Sequence, residues 1–91
     1  MGRELIVIKR DGRRVRFNQG KIKVAILKAT GTVGKIDPIL ERKIESIVDN
    51  IIREIRKRFF HDIQIYEIQN IVEHELLEAK EYALAEEYIT Y

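Results

Sequence analysis

The pair Asp11-Gly12 stands between two short runs in which apolar and basic residues alternate, and no other feature restricts the fold as tightly. An Asp-Gly pair filling a two-residue turn, with positive φ at both positions, fixes its flanks as a β-hairpin. In that register Arg10 faces Arg13, Lys9 faces Arg14, Ile8 faces Val15, Val7 faces Arg16 and Ile6 faces Phe17. One face then turns Ile6, Ile8, Val15 and Phe17 toward a core, with Arg10 and Arg13 at the tip. The other carries Val7, Lys9, Arg14 and Arg16. Like charges directly opposite each other destabilise a sheet by up to about 1 kcal/mol per pair. The only acid in the segment, Asp11, is needed by the turn, so the hairpin is expected to receive an anion at its tip.

Charge along the chain points the same way. Residues 1–28 hold nine Lys/Arg against two Asp/Glu, and the remainder holds eight against thirteen, so an overall charge of +2 conceals a +7 end and a −5 end. A basic end attracts phosphates, whether of a nucleotide, a nucleic acid or a membrane surface. An acidic remainder opposes wrapping by a long polyanion. Ninety-one residues with 45% hydrophobic content suit one domain, residues 1–91, with a single modest core. The absence of cysteine removes any disulfide framework or thiolate metal site. Neither a run of about 18 apolar residues nor a signal-peptide core is present, so a soluble, cytoplasmic domain with no membrane partner is expected.

After the hairpin the period changes from two to about 3.6. Ile22, Ala25, Ile26 and Ala29 form one stripe, with Asn18 as N-cap and an end near Thr30-Gly31. Asp37-Pro38 starts a second helix of about six turns, with Leu40, Ile44, Ile47, Val48, Ile51, Ile55 and Phe59 as its buried stripe. Arg56-Lys57-Arg58 falls in its last turn, where cations complement the helix dipole. Asp62-Ile63-Gln64-Ile65 alternates and is expected to add a third strand beside the hairpin. Ile68, Ile71, Val72, Leu76 and Ala79 describe a third helix, and Tyr82, Ala85, Tyr88 and Ile89 a fourth, with a break at Lys80-Glu81. The expected class is α+β and mainly helical: a four-helix bundle capped by a small sheet formed by the N-terminal β-hairpin and the short third strand.

Catalytic chemistry is not evident. No nucleophile has an obvious base partner, His61 and His74 are not spaced as a helical metal pair, and Glu73, Glu75 and Glu78 lie on a polar helix face. No glycine-rich phosphate fingerprint occurs. What the residues do offer is an anion site. Lys21 sits in the first turn of its helix, where the positive end of the dipole disfavours a cation. A phosphate there would relieve it, and Asn18 to Lys21 together with Lys9 and Arg10 would converge on that phosphate through side chains and free helix-start N–H groups.

Three blocks in order, Val7-Ile8-Lys9-Arg10-Asp11-Gly12 with Phe17, Lys21-Ile22 and Ala25-Ile26, then Ile65-x-x-Ile68-Gln69-x-x-Val72-Glu73, then Leu84-Ala85-x-x-Tyr88-Ile89-x-Tyr91, resemble the ATP-cone domain over essentially the whole chain. The resemblance implies a small helical bundle capped by a sheet, which binds ATP or dATP as an allosteric effector, with Mg2+ accompanying the nucleotide. It implies an attached or associated catalytic domain, most often a ribonucleotide reductase, and self-association as a further form of partnership. By the same resemblance Lys9 and Arg10 lie over the phosphates, and Val15, Arg16, Phe17, Asn18 and Lys21 surround base and ribose. Ile65 and Gln69 close the pocket, and Ile22 and Ile68 supply apolar walls. Val15 replaces an acidic residue that some members use for the adenine amino group, and Ile65 and Gln69 replace Thr and His of others. Members usually continue beyond the position of Tyr91 with basic residues and a catalytic body, so the chain is expected to be an excised domain or a stand-alone remnant.

Two function classes follow. The favoured one is a non-enzymatic, allosteric adenine-nucleotide-binding module regulating a ribonucleotide reductase. The alternative is a nucleic-acid-binding regulatory domain of a nucleotide-sensing transcriptional repressor. Such repressors carry a separate cysteine-rich zinc module for DNA, and this chain has no cysteine.

Overall fold

The computed structural model describes residues 4–31 and 36–91, and Arg3 of the basic segment lies outside them. The elements run β1 (Ile6–Ile8), β2 (Arg14–Arg16), α1 (Gly20–Ala29), α2 (Pro38–Arg58), β3 (Asp62–Gln64), α3 (Ile65–Glu78) and α4 (Tyr82–Thr90). The fold is α+β and mainly helical, with a three-stranded sheet of order β2-β1-β3 across the helices; β1 pairs antiparallel with β2 and parallel with β3.

The hairpin register differs from the expected one by a residue. Ile6 pairs with Arg16, Val7 with Val15 and Ile8 with Arg14. The turn holds three residues rather than two: Lys9 N–H donates to Arg13 O at 2.8 Å, Gly12 N–H donates to Lys9 O at 3.0 Å, and Gly12 has φ +89°. A type I turn followed by a left-handed glycine makes this loop, and Asp11 supports it by accepting from Arg13 N–H at 3.1 Å. Because side chains alternate along a strand, a one-residue slip exchanges faces. Leu5 and Val7 are therefore buried while Ile6 and Ile8 lie on the outer face, half-buried. The facing pairs Arg10/Arg13 and Lys9/Arg14 do not form.

The basic residues of the hairpin also find acids. Arg13 pairs with Asp11, Arg14 with Asp62 of β3 and Arg16 with Glu4, each at 2.8 Å. Arg14 and Asp62 meet on the outer face, across β1 and its residues Ile6 and Ile8. Hydrogen bonding to the backbone and side chain of Arg13 holds the Asp11 carboxyl below its usual range.

The N-cap of α1 is Gln19 rather than the expected Asn18, whose Oδ1 accepts from Gly20 N–H at 3.0 Å, and the helix ends where Gly31 takes φ +66°. Asp37 caps α2 by accepting from Leu40 N–H at 2.9 Å, with Pro38 in the first turn. The stripe of α2 buries Ile44, Ile47, Val48, Ile51 and Ile55, with Leu40 and Phe59 packed at its margins. Gln64 ends β3 and its N–H donates to Glu67 at 3.0 Å, so the strand passes into α3 without a loop. At the far end of α3, Lys80 adopts φ 62°, its N–H donating to Leu77 O and that of Glu81 to Leu76 O. This Schellman closure produces the break expected there.

Leu5, Ile26, Ile44, Ile51, Ile55, Ile63, Val72 and Leu76 are almost fully buried, and no polar residue is buried among the described residues. Helix α2 packs on α3, α3 on α4, and α1 on both α2 and α4. Lys23 clamps α1 to α2 through Glu41 at 3.1 Å and Glu45 at 3.0 Å; these bonds, that to Glu45 foremost, raise its pKa. Three expected stripes are corrected. Ala79, expected in the stripe of α3, is exposed just past that helix's end. Ala25 is exposed on α1, and α4 turns Leu84 and Ala85 inward while Tyr82 and Ile89 face out. Each helix is short, and a shift of one position about its axis changes which residue meets the core.

Candidate functional site

The same register that exchanges the faces of β1 brings Lys9 to the inner side of the sheet, two residues beyond Val7 on one strand face. There the sheet, α1, α3 and α4 do not close completely. They leave a cavity of about 520 Å3, within the range of small-molecule sites, roughly 300–1,000 Å3.

Its floor is apolar. Val7 and Val15 come from the sheet, Ile22 from α1, and Ile65, Ile68 and Val72 from α3. Phe17 stands at one side, its ring 5.6 Å from the Arg56 guanidinium carbon at the end of α2, a cation–π contact that seats the ring. Around the floor lie Lys9, Asn18, Lys21, Lys28, Gln69 and the phenols of Tyr88 and Tyr91. Arg16 borders the cavity, but its guanidinium is turned to Glu4.

Ten of the eleven residues expected at the site, Lys9, Val15, Arg16, Phe17, Asn18, Lys21, Ile22, Ile65, Ile68 and Gln69, line this one cavity. Arg10 does not. It borders an adjoining cavity of about 290 Å3 together with Lys9, Asp11, Arg13 and Ile65. The side chains of Lys9, Arg10, Lys21 and Lys28 have no ion-pair partner among the described residues.

One expectation about the helix start changes. The N–H groups of Gly20, Lys21 and Ile22 already donate, to Asn18 Oδ1, Asn18 O and Gln19 O respectively. An anion placed at this point would meet the lysine amines rather than free donors of these three backbone groups. Lys21 keeps its anomalous position, since the first turn of α1 holds no acid to offset it.

The cavity wall also contains Val24, Ala25, Lys28, Tyr88 and Tyr91, which sequence reasoning had not placed there. A signal for part of this was present. Lys21, Val24, Ala25 and Lys28 recur at i, i+3, i+4 and i+7, a second stripe beside the buried one. Tyr88 is half-buried, and burial foremost, with the charge of Glu73 behind it, raises its pKa above the usual 10.0. His61 and His74 are exposed, and no group of metal-ligating side chains occurs among the described residues. No helix is long and apolar enough to cross a membrane among them either.

Residues 5–91 match the model of the ATP cone domain. The chain is 34% identical over 94 residues to the ribonucleoside-diphosphate reductase subunit alpha of Chlamydia muridarum, covering 96% of this chain and 9% of that protein. It is 36% identical over 72 residues to the transcriptional repressor NrdR of Lactobacillus gasseri, covering 79% of this chain and 44% of the repressor. With the NrdR of Clostridioides difficile the identity is 39% over 79 residues, 87% of this chain and 49% of the repressor. The chain thus spans less than half the length of these relatives.

Proposed function

The chain belongs to the ATP-cone domain family, and on that premise we propose that it is a non-catalytic regulatory domain that takes ATP or dATP in the 520 Å3 cavity and passes the occupancy to an attached or associated enzyme. The observation that carries this reading is the coincidence of ten expected residues, two of them lysines without ion-pair partners, on one cavity with an apolar floor.

The chemistry suits a mononucleotide. Lys9 and Lys21 take the phosphates, with Arg10 extending the basic rim toward the smaller cavity. Val15, Phe17, Ile22 and Ile68 offer an apolar surface for the base, and Asn18 and Gln69 offer polar contacts to base or ribose. Each charge-assisted bond of this kind is worth about 1.5–3 kcal/mol.

Regulation requires that the ligand distinguish two states of the domain. Helix α4 is suited to that role. It buries only Leu84 and Ala85, yet presents Tyr88 to the cavity, with Tyr91 beside its end. A bound nucleotide touching these phenols favours the arrangement in which α4 is docked, and an enzyme packed on α4 would sense the difference.

Relatives of two kinds, a reductase subunit and repressors, support a cytoplasmic regulatory module in either setting. In a repressor the domain would serve as the nucleotide sensor, and the acidic remainder of the chain disfavours direct wrapping of nucleic acid. Calorimetric titration with ATP, dATP and GTP tests the reading. Adenine-selective binding at micromolar or tighter affinity is expected, and a flat trace with all three removes it. A short duplex is expected to bind weakly, with a shallow salt slope, and to be displaced by ATP. Sub-micromolar duplex binding indifferent to ATP would favour the nucleic-acid alternative.

A further inference from the structure

The ionisable lining of the cavity is one-sided. It consists of the amines of Lys9, Lys21 and Lys28, the guanidinium of Arg16 and two phenols; no aspartate or glutamate contributes. Residues 1–3 and 32–35 hold no acidic residue that could add one. The neutral side-chain oxygens are those of Asn18, Gln69, Tyr88 and Tyr91, and Asn18 Oδ1 already accepts from Gly20 N–H.

The neighbouring carboxylates do not line the large cavity. Asp11, on the smaller cavity, accepts from both the backbone N–H and the Nε of Arg13, at 3.1 and 2.8 Å. Glu73 is not part of the cavity lining, although its charge acts on Tyr88. Proteins usually hold Mg2+ through one or two carboxylates plus substrate phosphates, and the ion gives up its waters reluctantly. This lining does not fit a protein-held Mg2+, and its lysines would repel one.

Building on the nucleotide reading, we infer that the site is made for the metal-free polyphosphate, with the lysine amines standing where a divalent cation would otherwise neutralise the phosphates. Magnesium then competes with the protein for the ligand's charge. A domain of this kind responds to the uncomplexed fraction of the nucleotide pool, so a fall in free Mg2+ raises occupancy at constant total ATP. Affinity also climbs from mono- to di- to triphosphate, because each added phosphate meets amine rather than metal.

Calorimetric titration of the chain with ATP in EDTA and in excess MgCl2, at matched ionic strength, tests this. Binding about tenfold tighter in EDTA is expected, the equivalent of one charge-assisted contact. Lys28→Gln should narrow the ratio between the two buffers. Asp11→Asn should leave it unchanged, whereas a metal-binding Asp11 would make it shift. Affinity equal or greater in MgCl2 overturns the inference and leaves the nucleotide reading standing. No binding in either buffer removes both.

Discussion

The α2–α3 half of the molecule and the half formed by the hairpin, α1 and α4 are built on opposite terms. In the first, Ile44, Ile51, Ile55 and Leu76 are wholly excluded from water, α2 is capped by Asp37, and the interface contains no buried polar residue among those described. In the second, α4 spans nine residues, has no side-chain cap, and leaves Tyr82 and Ile89 more than half exposed. The lysines at its cavity lack ion-pair partners. The first half is packed throughout, whereas the second, although Leu5 and Ile26 are as deeply buried, leaves an incompletely closed surface that α3 completes. Substitutions should therefore separate stability from binding according to which half they touch.

The largest effect is expected in the packed half. Ile51→Ala should cost about 2–5 kcal/mol by loss of buried area and creation of a cavity, measured by urea unfolding. Leu84→Ala, at the thinly packed helix, should cost clearly less. Equal losses would break the comparison.

Ligand should act on the open half. At a concentration one hundred times its dissociation constant, ATP should add about 2.7 kcal/mol of stability, less at high salt because lysine–phosphate attraction is screened. Hydrogen exchange should show the new protection in the hairpin and α4. A melting temperature indifferent to ATP, or protection confined to α2, would count against this division.

Lys9→Ala and Lys21→Ala should each weaken ATP binding by about 1.5–3 kcal/mol, while unfolding free energies change by about 0.5 kcal/mol or less. Unchanged affinity in both variants would remove the site assignment. The smallest effect concerns Tyr88. Its folded-state pKa is raised above the unfolded 10.0 by burial and by Glu73, so its contribution is full below that pH and fades as pH rises through the folded value. Tyr88→Phe should flatten the alkaline limb of the stability curve slightly, and an unaltered limb would contradict the buried position.

Elements were legible because each carries a strong local signal: Asp37-Pro38 at a helix start, seven apolar residues at helical spacing in α2, Thr30-Gly31 at a helix end. Register was not. A two-residue Asp-Gly turn and a three-residue loop with a left-handed glycine both satisfy the same residues, and only the burial of Leu5 and Val7 against β3 selects the second. The ion pairs were equally hidden, since Asp62, which neutralises Arg14, is 48 residues away. At the cavity, residues close to the hairpin followed from charge and resemblance. Lys28, Tyr88 and Tyr91 did not, because a short amphipathic helix can be read with its apolar stripe a position or so out of place.

The tyrosines give the molecule an optical property. The chain contains four tyrosines and no tryptophan. Tyr66, Tyr82 and Tyr91 are exposed, Tyr91 at the rim of the cavity, whereas Tyr88 is half-buried in its wall. On the nucleotide reading, a purine bound in the cavity should change the emission of Tyr88 and Tyr91 and leave that of Tyr66 and Tyr82 constant. Removing Tyr66 and Tyr82 would leave a protein whose intrinsic fluorescence reports occupancy without any added dye.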